Sequence, residues 1–128
     1  MRERIETSGA PAAAGAYSQA IAAGGLVFCA GQVGIDPTTG SLVEGGVEAQ
    51  TARVLRNLGA VLDAAGVSYQ DVVKTTCFLA DIADFAAFNA VYARFFTDTP
   101  PARSTFQVAA LPIGARVEIE AIAVRPTP

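Results

Sequence analysis

Val47-Glu48-Ala49-Gln50-Thr51-Ala52-Arg53-Val54-Leu55-Arg56-Asn57-Leu58-Gly59-Ala60-Val61-Leu62-Asp63-Ala64-Ala65-Gly66 carries the clearest structural signal in the chain. Val47, Thr51, Val54, Leu58, Val61 and Ala65 recur at three- and four-residue steps, and Leu55 and Leu62 widen the stripe. That spacing predicts an amphipathic helix over 47–65. Glu48, Arg53, Arg56 and Asp63 fall largely off the stripe. Gly66 ends the helix, because glycine enters the left-handed region without a Cβ penalty. A helix with one apolar stripe needs one surface to bury it, so the flanking sequence is read for that surface.

Downstream, Val72-Val73-Lys74-Thr75-Thr76-Cys77-Phe78-Leu79 is rich in β-branched residues and predicts a strand. Asp81 or Asp84 then caps a second helix, on which Phe85, Phe88, Tyr92 and Phe95 recur at helical spacing. These aromatics are read as a core face rather than a ligand box. Thr99-Pro100-Pro101 stops that helix, and two strands follow near 103–108 and 116–124 around the Leu111-Pro112-Ile113-Gly114 turn. Upstream, the Gly24-Gly25 pair reads as a hairpin between runs at 17–22 and 26–32, which has Tyr17 opening a strand. Residues 9–16 are a small-residue approach loop, and Asp36-Pro37-Thr38-Thr39-Gly40 is a turn in which proline presets φ and glycine supplies a positive one.

Strands, helix, strand, helix, strands in that order predict an α+β domain: a mixed sheet with two helices on one face. Phe28, Val33, Thr76, Phe78, Phe106, Ile119 and Ile122 cannot all point under the helices, since strand side chains alternate. Burial of the second face against copies of the same chain resolves the conflict and predicts a trimer or similar ring. Composition agrees. Hydrophobic residues are 52% and charged residues 16% of 128 residues, against about 45–50% and about a quarter in ordinary domains. The length predicts a single domain, 1–128.

Several function classes are excluded early. No apolar run approaches the ~20 residues of a spanning helix, and Met1-Arg2-Glu3-Arg4-Ile5-Glu6 has no apolar signal region, so a cytoplasmic location is expected. Without histidine there is no Ser-His-Asp or Cys-His triad and no ordinary zinc site. A net charge of −3 with one lysine, Lys74, lacks the electrostatic footprint of a nucleic-acid binder. Cys29 and Cys77 sit in apolar stretches and read as buried structural thiols. Acid–base chemistry falls to carboxylates, tyrosine, backbone or water.

Two stretches hold candidate chemistry: Pro101-Ala102-Arg103-Ser104-Thr105-Phe106 and Val117-Glu118-Ile119-Glu120-Ala121-Ile122. A strand arginine can grip a carboxylate with two parallel hydrogen bonds, or form a surface or interface ion pair. Glu118 and Glu120 read either as a solvated strand face or, for Glu120 beside the apolar Ala121–Val124 run, as a partly desolvated acceptor able to position water. Tyr17 offers a hydroxyl to a pocket, or packs.

The chain resembles the RidA (YjgF) family of imine and enamine deaminases over essentially its whole length. The resemblance rests on Ala10-Pro11-Ala12-Ala13 with Gly15 and Tyr17, Gly31-Gln32-Val33, Asp36-Pro37-Thr38-Thr39-Gly40, Asn57-Leu58 and Ala64-Ala65-Gly66. It continues through Val73-Lys74-Thr75-Thr76, Asp84-Phe85 with Asn89 and Tyr92, Phe95-Phe96, Pro101-Ala102-Arg103-Ser104 and Val117–Val124. It implies a chorismate-mutase-like fold, a homotrimer with a central β-barrel, and active sites in clefts between subunits. It further implies Arg103 on the substrate carboxylate, Glu120 holding a water, and Tyr17, Gly31 and Asn89 lining the cleft. Two departures stand out. Ala30 replaces the family's usual serine and Thr105 its usual cysteine, although Thr105 shares a strand face with Arg103. The implied reaction converts 2-iminopropanoate or 2-iminobutanoate to the 2-keto acid and ammonia, and needs neither metal nor organic cofactor. The alternatives are a deaminase of a larger, 2-aminomuconate-type intermediate and a regulatory trimer that binds a small carboxylate. A ribonuclease role sometimes attributed to the family fits poorly with the acidic balance.

Overall fold

A computed structural model describes residues 1–126, so the last two residues of the expected domain lie outside the described part. The elements run β1 (Arg2–Ile5), β2 (Ala20–Ala23), β3 (Leu26–Val33), β4 (Ile35–Asp36), β5 (Ser41–Leu42), α1 (Gly46–Ala64), β6 (Val72–Leu79), α2 (Phe85–Phe95), β7 (Ala102–Gln107) and β8 (Val117–Val124). The predicted helix, its Gly66 stop at φ +79° and the Val72–Leu79 strand are all present. Asp81 caps a single 3-10 turn, Ile82–Asp84, that leads into α2.

The main sheet has the order β1-β2-β3-β8-β6-β7. Neighbours pair antiparallel except β6 and β7, which run parallel across the α2 crossover. Both helices cover one face. From α1, Val47, Thr51, Val54, Leu55, Leu58, Val61 and Leu62 are buried against Val27 and Cys29 of β3 and Val117, Ile119, Ala121 and Ala123 of β8. From α2, Phe88, Val91 and Tyr92 are buried, with Phe88 and Tyr92 in the same core. Truncating one such buried leucine to alanine ordinarily costs about 2–5 kcal/mol.

The other face of the sheet is bare. Phe28 and Phe106 are 44% and 45% exposed, and Phe78 meets Phe106 edge to face at 5.4 Å between ring centres. Alternation therefore divides the strand residues as expected. Ile119 goes under the helices, and Phe28, Thr76, Phe78, Phe106 and Ile122 go outside.

Two local features differ from the sequence expectation, and the expected turn at Asp36–Gly40 is present. β1 was not foreseen, because Arg2, Glu3 and Arg4 are exposed and only Ile5 is buried, as suits a charged edge strand. Tyr17 does not open a strand. It sits in the loop just after a bend at Gly15-Ala16, three residues before β2, its hydroxyl oxygen accepting from the Ala14 N–H at 3.3 Å. The Asp36–Gly40 turn closes a separate ribbon of β4 and β5, tied to the core by Asn57. That fully buried side chain donates to the carbonyls of Val33 and Ile35 at 3.2 and 2.9 Å and accepts from Arg53.

Candidate active site

Register decides which candidate residues can meet. In the parallel pair Thr75 lies opposite Arg103 and Cys77 opposite Thr105. In the antiparallel pair Thr75 lies opposite Ala121 and Thr76 opposite Glu120. Residues opposite one another share a face. Arg103 and Thr105 therefore rise beneath the helices with Thr75, while Glu120 stands with Thr76 on the bare face. Within one chain the arginine and the glutamate cannot contact the same small molecule.

The helix-side group is well ordered. Nη1 of Arg103 donates to Asn89 Oδ1 at 2.8 Å. The guanidinium carbon lies 4.7 Å from the centre of the Tyr92 ring, 5.4 Å from Phe85 and 5.7 Å from Phe88. A cation over a ring face is attracted by the ring quadrupole. Asn89, Tyr92, Ala93, Phe96, Pro100, Pro101 and Arg103 line an open cavity of about 340 Å³. The Thr105 hydroxyl oxygen is buried and has no hydrogen-bond partner among the described residues. Cys77, opposite it, is fully buried, and that burial pushes its thiol up to about 11, with Thr75 and Arg103 pulling the other way. It is a packing group rather than a nucleophile.

The bare-face group is different. Phe28, Cys29, Lys74, Thr76, Glu120, Ala121 and Ile122 line a shallower cavity of about 170 Å³. Lys74 donates to the Thr75 carbonyl at 2.9 Å and to the Thr76 hydroxyl at 3.2 Å. The partly desolvated carboxyl expected at Glu120 lies instead at Glu118, because on the interior strand β8 Glu120 is exposed and Glu118 is half-buried. Burial raises the Glu118 carboxyl above its ordinary value, and the charge of Glu120 adds to the effect. Gly31 lies in the irregular stretch of β3 between Cys29 and Gln32, where a Cβ would collide with the Glu118 carboxylate. Gly31 is not in the left-handed region, and a side chain there would have to displace the flexible end of Glu118.

Tyr17 stands apart from both groups, 52% exposed on its loop. That loop is pinned by Gln19, a buried side chain that accepts from the Thr7 N–H at 2.7 Å and donates to the carbonyls of Thr7 and Pro11. Sequence reading found neither Gln19 nor the rings beneath Arg103. The α2 aromatics act as core and as the floor of the arginine at once. The signal was the Phe85-Phe88-Asn89-Tyr92 spacing, but it acquires that meaning only through the Thr75–Arg103 register.

Comparison with known proteins gives a consistent picture. The endoribonuclease L-PSP family matches residues 7–125. A chloroplastic Reactive Intermediate Deaminase A of Arabidopsis thaliana is 54% identical over 95% of this chain, which spans 65% of that protein's length. A 2-iminobutanoate/2-iminopropanoate deaminase of Rattus norvegicus is 52% identical over 98% of this chain and 91% of its own length. Among solved structures, E. coli TdcF with bound serine superposes with a TM-score of 0.93 at 44% identity, covering 97% of this chain and 99% of that one.

Proposed function

The chain belongs to the endoribonuclease L-PSP family, the RidA family of the sequence resemblance, and on that footing we propose that it hydrolyses small 2-imino acids to 2-keto acids and ammonia. The observation that carries this reading is the Arg103 guanidinium. It is stacked on Tyr92 and held on one nitrogen by Asn89, and it borders an open cavity. A planar cation fixed in that way suits a carboxylate, and the amino acid bound in TdcF carries one.

Because Arg103 and Glu120 face opposite sides of one sheet, the reading requires two chains. In our proposal three copies close their bare faces into a central barrel, burying Phe28, Phe78 and Phe106, and each site joins the Arg103 cavity of one protomer to the Glu120 cavity of the next. Tyr17 and the backbone at Gly31 complete the lining, and Thr105 supplies a free hydroxyl where the family resemblance implies a thiol.

Arg103 pins the carboxylate, which fixes the neighbouring C=N carbon. Glu120 holds a water against that carbon and accepts its proton as the C–O bond forms. The nitrogen of the tetrahedral adduct takes back that proton from Glu120 and then, through the same carboxylate, the proton of the adduct's hydroxyl, and leaves as ammonia while the C=O bond closes. Orientation of this kind accounts for several kcal/mol of barrier, about 7–11 in favourable cases. No step needs a cofactor. No helix among the described residues is long and apolar enough to cross a membrane, and a cytoplasmic site of action completes the proposal.

An RNA-cleaving role, suggested by the family's description, is disfavoured by a net charge of −3 and a single lysine. The test is a coupled assay in which an amino-acid oxidase generates the imine and keto-acid release is followed with and without this protein. The protein should accelerate release, and Arg103→Ala should lower the acceleration about a hundredfold or more while the oligomer persists. Full activity in Arg103→Ala would exclude the carboxylate clamp.

A further inference from the structure

The aromatic floor under Arg103 is itself anchored. Tyr92 is 4% exposed, and its hydroxyl lies 2.7 Å from the hydroxyl of Thr75, a residue with no exposure at all. Thr75 sits on β6 directly opposite Arg103 of β7. The strand beside the arginine therefore grips, through Thr75, the ring on which the arginine rests. A hydroxyl pair buried at this point ties α2 to the sheet at the register position from which the guanidinium emerges.

An arginine side chain has four rotatable bonds, and a stacked guanidinium can still turn in its own plane or slide over the ring. Asn89 holds Nη1, and no other guanidinium nitrogen has a protein acceptor among the described residues. Where the plane lies is set by the ring beneath it, and Tyr92 is nearest at 4.7 Å. A phenylalanine there would fill the same space but would lose its tie to the sheet, leaving Thr75 with only a long contact from Cys77 at 3.9 Å.

We propose that Tyr92 and Thr75 form a positioning pair for Arg103: their hydroxyl bond fixes the plane of the guanidinium so that its free edge meets a ligand carboxylate in the orientation the bidentate grip requires. Thr75 lies wholly beneath the cavity, and Tyr92 borders it with its ring while its hydroxyl is engaged with Thr75. The inference rests on the reading of Arg103 as the carboxylate clamp. It adds that the clamp's precision comes from a buried bond one strand away.

The probe is 2-oxobutanoate, a product-like carboxylate whose binding to the assembled protein is measured by calorimetry, with kcat and KM determined in parallel. Tyr92→Phe and Thr75→Val should each weaken binding and raise KM about fivefold, the worth of one ordinary hydrogen bond. The double variant should lose no more than either single one, because both remove the same bond. Thr75→Ser, which keeps the hydroxyl, should bind as the parent does. In an Arg103→Lys background, where no planar fork remains to be oriented, Tyr92→Phe should change binding less than twofold. Parent-like binding by Tyr92→Phe, or an equal loss in the lysine background, would overturn the pair's role. Parent-like binding by Arg103→Lys itself would instead sink the clamp reading. The nitrogen-15 signals of the Arg103 guanidinium give a readout independent of catalysis. Its rotation should be slow in the parent and faster in Tyr92→Phe, and unchanged rotation would contradict the lock.

Discussion

Beneath the helices, Arg103 finds Asn89 at 2.8 Å and Tyr92 at 4.7 Å within its own chain. Across the sheet, Glu120 stands exposed in a shallow hollow beside Lys74, Thr76 and Phe28, its carboxylate without a hydrogen-bond partner among the described residues. One half of the candidate site is thus finished by the fold of a single protomer, and the other half is left open along with three phenylalanines. The contrast teaches that a sheet can carry two halves of one site on opposite faces, provided that a second copy brings the faces together.

The largest effect expected on the bare face comes from Glu120→Gln. If the carboxylate accepts a proton from the attacking water, turnover should fall about 10²–10⁴-fold with little change in binding of a keto acid. A regulatory binding protein would show no such split, so steady-state kinetics beside calorimetry separates the two readings. Next is Phe106→Asp, which sets a charge among the exposed aromatics that the proposed barrel buries. Sedimentation should show the oligomer dissociating, with the midpoint concentration raised about a hundredfold. An unchanged oligomer would mean that this face is not an interface.

The smallest effect concerns Glu118, whose carboxyl is raised by burial and by Glu120. A group raised in the folded state binds its proton more tightly there than when unfolded, so stability falls as pH climbs through the window above the ordinary glutamate value. Glu118→Gln removes that loss. The variant should gain stability over the parent at pH 7 and lose the gain near pH 4, as read from urea midpoints at the two pH values.

Much of the fold was legible in the sequence because it rests on periodicity. The Val47–Ala65 stripe, the β-branched run at Val72 and the Gly24-Gly25 pair are local signals, and each formed the expected element. β1 was illegible because its charges mask a strand held by pairing with β2 rather than by its own burial. The site was legible in its residue types but not in its arrangement. Arg103 and Thr105 share a face by simple alternation, and that could be read directly. The opposition of Arg103 and Glu120 depends on how β6 registers with both β7 and β8, and nothing in either strand's own sequence states it. The role of Tyr92 was hidden for the same reason.

The central claim, that Arg103 of one protomer works with Glu120 of another, is tested most directly by mixing two inactive proteins. Arg103→Ala and Glu120→Gln chains are unfolded together in equal amounts, reassembled and assayed for imine hydrolysis. With random assembly and each site drawing one residue from each of two neighbours, about a quarter of the sites regain both native side chains, so roughly a quarter of the parent activity should return. If both residues of a site came from the same chain, every site would stay damaged, and activity no greater than the average of the two parent variants would contradict the account.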